Sequence, residues 1–381
     1  MRKIVYFSGT RAEYGIMRST LQQIEADSRF NLQVIATGMH VMEEFGRTIE
    51  IIKKDGFSVT ELPVRFENDT DAARSLFMGN LIVKLTSALE KLQPDFLLLL
   101  GDRVETLAAA AAATYLSIPI AHVHGGDISC TKDNQARHAI TKLAHLHFAA
   151  SEQSAKRIRL LGEEKWRIFN TGSPSVAEIG AKARFSKKEV FNRYGFSNDK
   201  PLLVILQHPN EEKNAREEIA TTLRAVNNFA AQILIIYPNA DPGGRAIIEE
   251  IEKERKKENV RIEKNVDYGF YLSILKHADV LIGNSSSGLI EAPSFGLPVV
   301  NIGDRENGRE RAANVIDVPT VQDEIADAIR KALSEEFKER IKNCTNPYEK
   351  VGTAKEIISK LADVTIDENL LKKRLVFENG N

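Results

Sequence analysis

Short apolar runs alternate with longer stretches in which apolar residues recur at helical spacing. Strands are expected at residues 3–8, 32–36, 95–100, 118–123, 146–149 and 167–170. Several, such as Phe96-Leu97-Leu98-Leu99-Leu100, are apolar without interruption, as parallel strands covered on both faces require. Amphipathic or alanine-rich segments such as 105–116 lie between them. The theme returns at 202–206, 232–237, 260–263, 280–282 and 299–302. This strand–helix alternation predicts an α/β fold with two doubly wound, Rossmann-like parallel sheets. The stretch 173–200 has helix-like pieces but no strand signal, and it ends in Asn198-Asp199-Lys200-Pro201. It sets the expected domains at 1–175 and 176–365. Residues 366–381 would then form a C-terminal helix and tail, helical over 367–377, packed back on a domain and frayed at the last few positions.

Composition narrows the function classes. The 381 residues suit two domains rather than one core. With 43% hydrophobic and 28% charged residues, ordinary globular folding is expected. The net charge of −1 argues against nucleic acid or an anionic membrane held by bulk electrostatics, so an anionic substrate must be met by locally gathered arginines. Cys130 and Cys344 lack metal-ligand or redox spacing and read as idle thiols of a reducing compartment. Met1 leads straight into a strand-like run, and no apolar run nears the roughly 20 residues of a spanning helix. The expected location is the cytoplasm.

Polar motifs follow the expected strands. Gly283-Asn284-Ser285-Ser286-Ser287-Gly288-Leu289-Ile290-Glu291 leaves a strand and opens a helix. Small residues admit a ligand to the backbone, hydroxyls add donors, and a helix start presents unpaired N–H groups, which suits a diphosphate. Glu291 could accept from a ribose diol. A plain serine N-cap is the simpler alternative, but three serines exceed what one cap needs. Arg305 and Arg309 lie beyond the next strand, either facing a ligand or in a solvated loop.

In the first half, Thr10 reads as an N-cap and Arg11 as a possible phosphate contact, without a dinucleotide fingerprint. Gly101-Asp102-Arg103 follows the most apolar strand, where Asp102 is either a helix cap or an acid for chemistry. The densest cluster is His122-Val123-His124-Gly125-Gly126-Asp127, followed by Asp133, Arg137 and His138, a grouping suited to proton transfer. Metal binding is the weaker alternative, because no ligand set is completed. His145 and His147 read as structural. His208, in Gln207-His208-Pro209, ends the first strand of the second half.

Two tandem domains of this kind resemble the GT-B architecture, in which two sheets face across a ligand cleft. The motifs together resemble the UDP-N-acetylglucosamine 2-epimerase family, specifically its hydrolysing branch. The matching elements are Gly9-Thr10-Arg11-Ala12-Glu13-Tyr14, Gly101-Asp102-Arg103, Gly125-Gly126-Asp127, Arg137-His138-Ala139-Ile140-Thr141-Lys142-Leu143 and the block from Gly283 to Arg309. The resemblance implies conversion of UDP-N-acetylglucosamine and water to N-acetylmannosamine and UDP through 2-acetamidoglucal, feeding sialic-acid-type biosynthesis. It implies no metal or redox cofactor and a homodimer or homotetramer. By position, Asp102 and Asp133 match catalytic acids, and His208 and His40 match substrate contacts. Ser286, Ser287 and Glu291 match nucleotide contacts; Ser285, Gly288 and Arg103 join them as binding candidates. Family members commonly carry His-x-Glu-Gly-Gly-Glu where this chain has His124 and Asp127 in place of the two glutamates, so those two join the catalytic candidates.

Other classes predict different features. A GT-B glycosyltransferase would need an acceptor or membrane-docking surface, and no basic amphipathic helix supplies one. A non-catalytic sensor would keep the serines and lose the acids, yet Asp102, Asp127 and Asp133 are all present. Within the family, the alternatives are a hydrolysing UDP-N,N'-diacetylbacillosamine 2-epimerase and a non-hydrolysing 2-epimerase.

Overall fold

The computed structural model describes residues 1–68, 70–177, 179–239 and 241–377. The chain divides into two compact units, the first from Met1–Asn68, Ala72–Ala177 and the chain from Tyr348 onward, the second from the intervening residues.

The first unit holds a seven-stranded parallel sheet of β1 (Arg2–Ser8), β2 (Phe30–Ala36), β3 (Val59–Glu61), β4 (Phe96–Leu100), β5 (Ile120–Val123), β6 (Leu146–Ala149) and β7 (Ile168–Asn170), ordered β3-β2-β1-β4-β5-β6-β7. Residues alternate across the sheet. Ile4, Tyr6 and Leu98 pack with Met17, Leu21 and Ile24 on one face. Val5, Phe7, Leu97 and Leu99 pack with Leu81, Leu85, Leu89 and an alanine cluster around Ala109 on the other. All five residues of β4 are buried, so a polar side chain anywhere in it would lack a partner.

The second unit carries β8 (Leu202–Leu206), β9 (Gln232–Ile236), β10 (Val260–Glu263), β11 (Val280–Gly283), β12 (Val299–Ile302) and β13 (Val315–Val318), parallel and ordered β10-β9-β8-β11-β12-β13. Each sheet reverses its winding once, between β1 and β4 and between β8 and β11. In sheets of this kind, ligands bind beyond the carboxyl ends of the strands at such switch points.

Two findings differ from the sequence reading. β3 and β13 were not expected; both are edge strands of intermediate burial, without the continuous apolar run that marks a central strand. Residues 348–365, grouped on sequence with the second domain, belong to the first unit. There Ile357, Ile358 and Leu361 of the helix Thr353–Asp363 join the first core, and the Arg2 guanidinium donates to Leu361 O and Val364 O. The expected tail helix is a single turn, Glu368–Leu371, capped by Asp367, after which Val376 N donates to Gly162 O at 2.9 Å. The expected fraying of the last residues lies outside the described residues.

Gly283 closes β11 at φ 135°, and a Cβ there would lie 2.1 Å from Leu206 O. A Cβ added at Gly79, within the helix Asp71–Leu92, would meet nothing within 4 Å. Gly283→Ala is therefore expected to lower stability by about 3 kcal/mol or more, while Gly79→Ala raises it by roughly 0.5–1 kcal/mol, read from denaturant midpoints.

Candidate active site

At the first switch point the loop after β1 packs against the start of the helix after β4. Thr10 caps the helix Arg11–Glu25, and the Glu13 carboxylate returns to accept from Gly9 N at 2.9 Å and Thr10 N at 3.1 Å. Glu105, fully buried, lies so close to Gly9 that a Cβ there would come within 2.7 Å of its Cγ. Arg103 Nε donates to Glu105 Oε2 at 3.2 Å. Burial, and then the neighbouring Glu105, pushes the Glu13 carboxyl up to about 8, opposed by Arg103. Arg103, expected as a substrate contact, is thus already engaged in neutralising a buried carboxylate. Arg11 opens its helix half-buried.

His40 departs from the sequence expectation of a substrate contact. It is fully buried in the turn Gly38–Val41, with Nε2 3.0 Å from Ser8 Oγ and Nδ1 2.8 Å from Thr48 Oγ1. Burial holds its pKa down at about 3. Both ring nitrogens are committed to hydroxyls, so it braces the β1 and β2 loops.

Asp102 does not cap the helix Val104–Tyr115; Arg103 occupies the N-cap position with extended backbone. Asp102 instead pairs with Arg137, which is buried and also donates to Asp127 O at 3.0 Å and Asn134 Oδ1 at 3.2 Å. Arg137, on the helix Lys132–Leu143, thereby joins the ends of β4 and β5. Asp127 is buried; its Oδ1 accepts from Ser154 Oγ at 2.5 Å, and its Oδ2 stands 3.9 Å from His124 Nδ1. His124 Nε2 lies 2.9 Å from Ser173 Oγ. His124 holds φ at 65°, a left-handed conformation that costs a non-glycine residue on the order of 1 kcal/mol and that clusters at functional sites. The turn admits nothing larger than glycine at 126, where a Cβ would lie 2.2 Å from Ser154 O.

Asp133 Oδ1 is 3.7 Å from an Arg74 guanidinium nitrogen. His138 is half-buried, and burial, reinforced by Arg137 and Arg157, lowers its pKa. His122 is buried against Gly101 O at 2.7 Å, and burial takes its pKa down to about 3. His145 accepts from Ile120 N and His147 contacts Glu163, both as framework.

At the second switch point, His208 and Asn284 exchange two hydrogen bonds, His208 N to Asn284 Oδ1 at 2.7 Å and Asn284 Nδ2 to His208 O at 2.9 Å. Ser285 Oγ lies 3.3 Å from Ser287 Oγ, and Ser287 also meets Tyr271 Oη. Tyr268 Oη donates to Glu291 Oε1 at 3.2 Å. Gly288 packs on Val299, where a Cβ would lie 2.8 Å from a methyl carbon. The helix these residues open is a single turn, Ser287–Ile290, followed by the 3₁₀ turn Ala292–Phe295. One turn carries little macrodipole, so attraction of an anion here would fall to hydroxyls, amides and arginines. Arg305 and Arg309 are not a solvated loop. Both grip the buried Glu306, each at 2.8 Å, and Arg305 also lies 3.7 Å from Asp241. Among the described residues, no three His, Cys, Asp or Glu side chains are grouped to hold a metal ion, and no helix is long and apolar enough to cross a membrane.

Two doubly wound parallel units define a GT-B-like α/β protein. Residues 22–362 match the family described as UDP-N-acetylglucosamine 2-epimerase, and the chain belongs to that family. It is 39% identical over 377 residues to a UDP-N,N'-diacetylbacillosamine 2-epimerase (hydrolyzing) of Legionella pneumophila, across 98% of this chain and 99% of the relative. It is 36% identical over 344 residues to a GDP/UDP-N,N'-diacetylbacillosamine 2-epimerase (hydrolyzing) of Campylobacter jejuni, across 89% of each. The fold is similar to the crystal structure of UDP-GlcNAc 2-epimerase from Neisseria meningitidis bound to UDP-GlcNAc, with a TM-score of 0.80 at 20% identity over 94% of this chain and 99% of that one.

Sequence reasoning missed the supports around these groups. Glu105, Ser154 and Ser173 carry no motif signal of their own; Asn284 and Glu306, inside the block from Gly283 to Arg309, could have been singled out. The Glu13 pair generates a pH prediction. A carboxyl whose folded pKa is raised to about 8 keeps its proton in the folded state while the unfolded chain loses it. Stability from this group is therefore full at acid pH and is lost progressively as pH rises from the usual carboxylate range through about 8. Glu13→Gln is expected to gain stability relative to wild type between pH 5 and about 8, measured as the difference between their denaturant midpoints.

Proposed function

We propose that the protein is a hydrolysing 2-epimerase, converting a UDP-linked 2-acetamido sugar and water to UDP and the free sugar inverted at C2. The observation that carries this reading is the Asp102–Arg137 pair. A carboxylate at the end of the most apolar strand is held by a buried arginine instead of capping its helix. That arginine also fixes the loop bearing His124 and Asp127. The near full-length likeness to relatives named as hydrolyzing enzymes supports the same reading.

The C2 hydrogen adjoins an acetal carbon and is weakly acidic, so departure of UDP must run ahead of its removal. Negative charge then grows on the oxygen that leaves with the diphosphate. In this reading Ser285, Ser286 and Ser287 stabilise it, with Arg305 and Arg309 exchanging Glu306 for phosphate oxygens. Glu291, held by Tyr268, receives the ribose diol. A group from the Asp102, Asp133, His124 and Asp127 set takes the C2 proton, leaving a 1,2-unsaturated sugar. Water then adds its oxygen at C1, and a proton returns to C2 on the opposite face.

The sugar itself has two candidates. UDP-N-acetylglucosamine, yielding N-acetylmannosamine, is what the family resemblance of the motifs implies. UDP-N,N'-diacetylbacillosamine is favoured by the names of the two relatives at 39% and 36% identity. Each nucleotide sugar incubated with the protein in deuterated water is expected to release UDP and a sugar deuterated at C2, and the larger kcat/KM names the substrate. Recovery of a UDP-linked epimer would instead place the protein in the non-hydrolysing branch. Asp102→Asn is expected to reduce turnover by on the order of a thousandfold with UDP affinity nearly intact; a fully active variant would remove Asp102 from the chemistry.

A further inference from the structure

His208 is held from both neighbouring strand ends. The Asn284 side chain, beyond β11, takes both backbone groups of His208, at 2.7 Å and 2.9 Å, doing for this residue what a paired strand would do. From the opposite neighbour, β9, Asn239 N donates to His208 Nδ1 at 3.1 Å. A backbone amide can only donate, so Nδ1 presents its lone pair and the neutral ring carries its proton on Nε2. Asn284 and His208 are both buried, so this arrangement is enclosed by protein.

We propose that Asn284 is a positioning residue that, together with the Asn239 amide, fixes His208 as a neutral Nε2–H hydrogen-bond donor to an oxygen of the departing diphosphate or the sugar, and not as a base. The role rests on the reaction proposed above; the tautomer does not. A base at Nε2 would need its proton on Nδ1, which would break the bond to Asn239 and set two N–H groups against each other. A donor at Nε2 keeps the bond from Asn239. It meets charge that grows on the leaving oxygen without a proton being moved, the arrangement in which preorganised donors are most effective. Asn284 also directly precedes Ser285, so one residue sets both the start of the serine turn and the backbone of His208. Substrate held at the serines would thereby find the imidazole already placed.

Nitrogen-15 labelling of histidine reads the tautomer directly, with the His208 signals identified by their loss in His208→Gln. The expected wild-type pattern at neutral pH is the Nε2–H form, retained when UDP is added. A glutamine side-chain amide places an N–H near the Nε2 position, whereas an asparagine reaches only as far as Nδ1. His208→Gln is therefore expected to keep kcat within about tenfold, and His208→Asn to lose on the order of a hundredfold or more. Asn284→Asp, which accepts from His208 N but cannot donate to His208 O, is expected to lower kcat and to diminish the Nε2–H signal. An Nδ1–H or doubly protonated ring at neutral pH, or equal losses in the glutamine and asparagine variants, would overturn the proposal. If no nucleotide sugar were turned over, the reaction would be wrong, and the nitrogen-15 pattern would still decide the tautomer.

Discussion

Parallel strands buried on both faces admit a polar side chain only where it finds a partner, as His122 does at Gly101 O and His147 at Glu163, and otherwise leave polar groups to the strand ends. β4 is apolar from end to end, and the first residues free of that constraint are Gly101, Asp102 and Arg103. The same holds after β11, where Gly283 and Asn284 lead into three serines. Because each sheet reverses its winding between β1 and β4 or between β8 and β11, the loops on either side of the reversal diverge and open a space beyond the sheet. Many of the buried polar residues of each unit gather there, because the apolar strand interiors leave them few other buried places.

Charge is compensated within each unit before any ligand arrives. Arg103 serves Glu105, Arg137 serves Asp102, and Arg305 and Arg309 share Glu306. An arginine buried alone would be costly, and one already paired keeps its position at the expense of competing with the ligand for its acid. In the proposed function, a diphosphate would exchange one anion for another at Arg305 and Arg309, which would favour a ligand of high charge density over a neutral sugar. In the first unit the buried carboxylates outnumber nearby cations around Glu13, and a retained proton makes up the difference.

The central strands and the polar loops that follow them were legible from the chain because both have local signatures, an unbroken apolar run followed by glycine and polar residues. β3 and β13 were not, since an edge strand paired on one side needs only three or four residues of mixed character. The return of 348–365 to the first unit was invisible as well, because an amphipathic helix does not state which core it will cover. Among the candidate residues, Asp102 was identifiable by its place after a strand, but its pairing with Arg137, thirty-five positions away in sequence, follows from no spacing rule. His40 shows the reverse failure. Its position in a motif suggested ligand contact, whereas the fold surrounds it with Ser8 and Thr48.

The serine turn after β11 is the feature on which the account of the nucleotide depends. Calorimetric titration of uridine, UMP and UDP into wild type and Ser286→Ala tests it most directly. Affinity is expected to rise from uridine to UMP to UDP, with the gain from the second phosphate largely erased in Ser286→Ala. Equal affinity for the three ligands, or a variant that binds UDP as tightly as wild type, would contradict it.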